Sequence, residues 1–286
     1  MIVTTSGISA LYMDNQYQFI RLKDEGVYCV LNNDERDIVN GFELVPDTDD
    51  RYCRDIVLMD LDFVFLKDRD VIYKGDRFYV TWIKHGIVEI CSSDPELGHK
   101  YNMKLYDRYD YSLEVDLAGL DQFTEKWTPV VKYLVRKEKT TYTEEAAHRR
   151  IILTQGKMAL YRSCQYELSI PENSDQFGLL SNDPKDLEWG FSKTLDNEKI
   201  FRKDVTLQEL DWVFEQETTV KYKGDEFTAD HIVGKYIMLQ TNDQGLSVKH
   251  KMEEWKHGEF RLPVDMKDVE EIVIKWTPLR EYYSYK

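Results

Sequence analysis

The chain has 286 residues, 42% of them hydrophobic, with 53 acidic against 38 basic side chains and a formal net charge of −15. That length suits one to three domains with real cores, and no apolar run approaches the roughly 20 residues a membrane span needs. The acidic surface repels a phosphate backbone, which argues against nucleic acid as a ligand and favours a basic partner.

The N-terminal stretch "MIVTTSGISALYMDNQY" lacks a basic segment followed by a long apolar run, so the expectation is a cytoplasmic protein without a signal peptide. The four cysteines, Cys29, Cys53, Cys91 and Cys164, show no CxxC spacing. They read as free, buried or half-buried thiols of a reducing compartment.

In chain order, "ALY" at 10–12 ends a first strand and "QYQFIRLKDEGVYCVLNND" (16–34) supplies the next two. Asp34 then reads as a helix N-cap and Gly41 as its left-handed stop. "DTDDRY" (47–52) is a charged hairpin tip, followed by a single-turn helix and a last strand. That strand runs on into "YKGDRF" (73–78), where Gly75 lets a tight hairpin close. "FYVTWI" alternates aromatic and polar residues as a strand does. A strand ending at Asp94 and the tip "YDRYDY" (106–111) complete a second unit.

The grammar then starts again. "ALY" recurs at 159–161, Gly41-Phe42 as Gly190-Phe191, "YKGD" at 222–225 and "KWTP" (126–129) at 275–278, all at an offset of 149. Inside this duplication Asp34 and Asp94 are 60 residues apart, as are Asp183 and Asp243. Self-similarity at fixed period predicts repeated structural units. The fold expected is mainly β: four tandem units of about 60 residues, ordered A-B-A′-B′, each a small SH3-like barrel with short helical turns. Repeats 1 and 2 occupy 1–130, a linker with a short helix around Thr143-Glu144-Glu145-Ala146-Ala147 occupies 131–151, and repeats 3 and 4 occupy 152–286. In repeat 3, Asp183, Pro184 and Gly190 punctuate a helix, and Thr206 with Glu209 forms a capping box.

No catalytic signature is present: no GxSxG, HExxH, Walker loop, or GxGxxG after a strand. The histidines His85, His99, His148, His231, His250 and His257 lack metal-ligand spacing. The expectation is therefore a non-enzyme with no cofactor and no metal. Binding is expected where tyrosines stand among acids: Asp47, Asp49 and Asp50 on one tip, and Tyr101, Tyr106, Asp107, Tyr109 and Asp110 on another.

Tyr222-Lys223-Gly224 with Phe227, Ser181-Asn182-Asp183, Gly190-Phe191 and the stretch Val205 through Asp211 resemble the β-rich repeats of immunity proteins from bacterial polymorphic toxin systems. The resemblance covers nearly the whole chain outside the linker. It implies a non-enzymatic cytosolic antitoxin that binds a toxin domain and blocks it. A second possibility is a scaffold or small-ligand-binding protein, phage-derived, that uses a cleft between paired units.

Overall fold

The computed structural model describes residues 7–21, 28–135, 140–162, 164–170, 177–194 and 199–282. The first half carries β1 (Gly7–Tyr12), β2 (Asn15–Arg21), β3 (Tyr28–Asn32), β4 (Glu43–Leu44), β5 (Tyr52–Ile56) and β6 (Phe63–Tyr73). It continues with β7 (Asp76–Lys84), β8 (Ile87–Ser92), helix α1 (Pro95–Lys100), β9 (Lys104–Leu105), β10 (Tyr111–Asp116) and β11 (Gln122–Pro129). Helix α2 (Tyr142–His148) and β12 (Ile151–Leu153) belong to the linker region. The second half repeats the pattern as β13 (Gly156–Tyr161), β14 (Cys164–Ser169), β15 (Phe177–Ser181), β16 (Ser192–Lys193), β17 (Phe201–Val205) and β18 (Trp212–Tyr222). It ends with β19 (Asp225–Val233), β20 (Tyr236–Thr241), α3 (Gln244–His250), β21 (Glu253–Lys256), β22 (Glu259–Asp265) and β23 (Glu271–Pro278).

All strands belong to one antiparallel sheet. In the first unit the pairings run β6-β1-β2-β3-β5-β4, and the other three units follow the same order. The long strands β6 and β18 each end one unit and begin the next, as the unbroken sequence through them predicts. The pairings do not close into a ring: no ladder joins β5 to β6. A single-turn 3-10 helix at Leu58–Asp60 separates them, and the far edge of β6 is taken by β11.

The punctuation read from sequence is found in place. Asp34, Asp94, Asp183 and Asp243 each cap a helix by accepting a backbone N–H two residues on. Gly41 and Gly190 end their helices at φ +80° and +82°. Lys74-Gly75 and Lys223-Gly224 both have positive φ, the geometry of a type I′ hairpin. The linker helix is capped by Thr141, two residues before Thr143, in a box with Glu144.

The halves are not two tandems hinged at the linker. They meet edge to edge where β11 pairs with β23, with Phe123 opposite Trp276, Glu125 opposite Ile274 and Trp127 opposite Ile272. Residues 125 and 274 are repeat-equivalent, so a pseudo-two-fold axis passes through that pair and the interface is isologous. The cores interlock across it. Leu11, Phe63 and Phe65 of the first half pack with Val220, Phe227, Ile237 and Ile272 of the second. The repeat-equivalent Trp212 and Phe214 pack with Val71, Phe78, Ile90 and Phe123. Each of these large side chains is nearly or fully buried, worth about 1.5–3 kcal/mol of burial apiece.

Candidate functional site

The second predicted cluster is built on the hairpin β9–β10. Asp94 caps α1, and Pro95 starts it. Gly98 lets the helix lie on the ring of Tyr111: a Cβ there would come within 2.6 Å of it. Past the helix, Lys104 and Leu105 pair with Ser112 and Tyr111, and the Tyr106 N–H donates to the Asp110 carbonyl at 2.8 Å. The Asp107 carboxylate accepts from the Arg108 N–H, closing the tip. Tyr106 and Tyr109 are left 74% and 72% exposed, beside exposed Asp107, Arg108 and Asp110.

Tyr101 does not belong with them. It is half-buried, its hydroxyl donates to Asp76 at 2.6 Å, and its ring packs on Phe78 and Tyr73. The repeat-equivalent His250 makes the same contact with Asp225. Tyr101 therefore ties α1 to the Lys74-Gly75 turn and is structural. Its neighbour Lys100 completes the tie with an ion pair to Asp76.

Asp47, Asp49 and Asp50 are exposed on the tip between β4 and β5. Asp47 adopts φ +61°, and the loop is fixed by Val45 and Thr48 backbone bonds. This tip hangs from the β1-β2-β3-β5 branch of the sheet, and the Tyr106 tip hangs from the β7-β8-β10 branch. The fold keeps the two acidic clusters on separate edges. The third tip, "LDNEKIF", falls mostly outside the described residues. The fourth presents Trp255, 58% exposed with Arg261 stacked on it at 4.7 Å, an exposed aromatic outside the tyrosine-rich stretches.

Sequence reasoning also missed the buried polar networks, because burial is not written in residue type. At the pseudo-two-fold, the 3-10 helices Glu35–Asn40 and Pro184–Trp189 face each other with reciprocal ion pairs. Arg36 bonds Asp186 at 2.9 Å, and Lys185 bonds Asp37 at 2.7 Å. Tyr166 and Ser181 also donate to Asp186, while Tyr17, Asn32 and Asn40 donate to Asp37. Arg36 is further stacked on Trp189. From the linker, Arg149 binds Asp14 and Asp62 of the first half. Arg150 reaches Asn15 in the first half and Asn182 and Asp183 in the second. These networks clamp the halves together.

A third network lies in the central sheet, where Arg69 pairs with Glu125 at 2.5 Å and Trp127 donates to Glu125 at 2.6 Å. Lys67, beside them and 4% exposed, has its pKa pushed down to about 7 by burial and then by Arg69, against the pull of Glu125. Burial raises the Cys29 and Cys164 thiols to about 11, so neither is a ready thiolate at neutral pH. Among the described residues no group of three or more His, Cys, Asp or Glu side chains is arranged to hold a metal. No described helix is long and apolar enough to cross a membrane. An open cleft of roughly 480 Å³, lined by His85, Tyr161, Arg162, Glu209 and Asp211, lies where the second and third units meet.

The fold is that of a duplicated, mainly β protein built on one antiparallel sheet. The chain belongs to the family described as Uncharacterised conserved protein UCP033725, which matches residues 4–131 and again 153–280. Those two matches coincide with the two halves of the fold. No curated protein matches the chain.

Proposed function

We propose that the protein is a non-enzymatic binding protein of the immunity type, which neutralises a basic toxin domain by covering it. The observation that carries this reading is the β9–β10 tip. Two tyrosines stand three-quarters exposed beside aspartates, on a hairpin braced by α1 and by Tyr101. Exposed aromatic side chains on a rigid support lose little entropy on binding and serve as anchors. A net charge of −15 speeds encounter with a basic partner. Within this reading each unit is an SH3-like small barrel, supported by the strand order last-first-second-third-fifth-fourth and by the 3-10 turn before the last strand. The site of action is the cytoplasm of the producing bacterium.

The open cleft at His85, Arg162, Glu209 and Asp211 favours a second reading, a small ligand carrying both charges bound between units. The two separate in one experiment: co-purification from the native host, followed by titration of any complex with salt. A basic protein should be recovered, and its affinity should fall steeply between 50 mM and 500 mM salt. Recovery of a small metabolite without a protein partner would favour the cleft. A protein complex indifferent to salt would remove the charge argument.

A further inference from the structure

The duplication supplies an internal control, since a surface position described in both halves has a counterpart 149 residues away on the same element. Among the described residues, eleven large apolar side chains of the first half are exposed, against three in the second: Leu187, Val248 and Trp255. Six of the eleven precede β6 in the first unit; Ile38 has an exposed apolar counterpart in Leu187, and the other five are Met13, Val39, Leu44, Val57 and Met59. Their counterparts at the 149-residue offset are Arg162, Glu188, Lys193, Thr206 and Gln208, all exposed. The fold itself therefore does not require apolar side chains at these positions.

Arg54 ties together the two turns that carry Met13 and Val39. The Arg54 guanidinium bonds the Asn40 carbonyl, next to Val39, and reaches the Met13 sulfur at 3.7 Å. It also lies over Gly41 and on the Tyr12 ring. The Asp62 N–H donates to the Leu11 carbonyl, which sets the 3-10 turn carrying Met59 beside the Met13 turn, and Val57 caps that turn. Leu44 follows from the Val39 end of the helix through Gly41 and pairs with Tyr52. On the same segments stand exposed Glu43, Asp47, Asp49, Asp50 and Asp60, with Arg51 the one exposed cation of the 47–52 tip. The counterparts of those acids are Ser192, Asp196, Glu198, Lys199 and Glu209, which carry less negative charge.

We infer that this face of the first unit docks a basic, amphipathic segment of a protein partner, with apolar side chains seated on Met13, Val39, Leu44, Val57 and Met59 and flanking lysines or arginines on the acidic rim. The inference rests on the proposed reading of a basic protein partner and adds a second contact surface to the β9–β10 tip. Single exposed apolar residues are ordinary, but a cluster rimmed by charge marks an interaction site. Charge complementarity selects the occupant. A second copy, or an anionic membrane, would bring like charge against the rim.

The test uses the full chain and a synthetic helical 16-residue peptide with leucines on one face and lysines on the other, titrated by calorimetry. A neutral polar variant, Met13→Gln, Val39→Ser, Leu44→Gln, Val57→Thr and Met59→Gln, keeps the charge of this face. It should melt within about 3 °C of the parent, because the second half carries polar residues at the same positions. The expected result is peptide binding by the parent, at least a tenfold loss in the variant, and no loss in Val248→Ser, which removes an exposed apolar side chain of the second half. Replacing the peptide's lysines by glutamates should also cost tenfold or more. The inference is overturned if the parent does not bind the peptide or if the variant binds like the parent. It is also overturned by a dimer that the variant abolishes, which would give the face to a second copy. If a basic partner co-purifies yet ignores the variant, this docking face falls while the binding reading stands.

Discussion

At the centre of the sheet the first half places Lys67, Arg69 and Glu125 where the second places Gln216, Thr218 and Ile274. The backbone register is the same in both: β6 meets β11 with Ile72 opposite Gln122, and β18 meets β23 with Lys221 opposite Glu271, one repeat later. Gln216 solves in neutral form what the first half solves with charge, accepting from Trp276 as Glu125 accepts from Trp127. At the two-fold itself both halves keep a carboxylate and a cation, Asp37 with Arg36 and Asp186 with Lys185. On the outside they diverge, apolar in the first half and polar in the second. Positions that hold the halves together are constrained in both copies by the same isologous contact. Positions facing water carry no such constraint, so a difference there reports on something other than the fold.

The largest effect should come from the shared contact. Asp186→Ala leaves the buried Arg36 without its cross-half carboxylate and should cost about 3–5 kcal/mol in urea unfolding. Asp37→Ala should cost a similar amount, since the pseudo-two-fold makes the two pairs equivalent. Unequal costs would show that the symmetry of the backbone is not a symmetry of energies.

The central networks should differ in pH response. With its pKa lowered to about 7 in the fold, Lys67 holds fewer protons than its unfolded form between about pH 7 and pH 10.5. Stability from this group therefore rises with pH across that window. Lys67→Met should be more stable than the parent at pH 7, by at least about 1 kcal/mol, the worth of roughly one pKa unit. The advantage should shrink as pH approaches 10, measured by chemical unfolding at each pH. A variant no more stable at pH 7 would mean the amine is better solvated than its burial implies.

Gly75→Ala and Gly224→Ala sharpen the comparison at a point of identity. Both glycines sit at φ above +80°, and their N–H groups donate to the repeat-equivalent carboxylates Asp121 and Glu270. Each substitution should cost about 1–2 kcal/mol, and the two costs should agree within a few tenths. The smallest stability effect belongs to Tyr106→Ser and Tyr109→Ser, within about 0.5 kcal/mol, because neither ring is packed. The same substitutions should weaken any complex with the basic partner tenfold or more, about 1.4 kcal/mol.

Much of the local structure was legible in the sequence because it rests on short-range chemistry. An aspartate before a turn of helix, a glycine at positive φ and a Thr-x-x-Glu box each act within four residues. The exposed pair Tyr106 and Tyr109 was legible too, since a hairpin tip must face water. Tyr101, five residues away, was misplaced because its partner Asp76 comes from another hairpin. The Met13, Val39, Leu44, Val57 and Met59 face was hidden for the same reason: its residues come from four separate turns and strands, three of which are joined through Arg54 and the Leu11 carbonyl. The open sheet was unreadable because β11 and β23 show no mark of which edge they will meet.

The sequence by itself determined the duplication, the unit length, the strands and their turns, since each of these follows from periodicity and from backbone preferences of neighbouring residues. The tertiary structure alone decided that the two halves interlock through β11 and β23 and exchange Phe63, Phe65, Trp212 and Phe214 between their cores. That choice is made by shape and burial across more than a hundred residues of chain. An apolar side chain carries the same drive to leave water whichever core receives it, and only the packed fold says which one does.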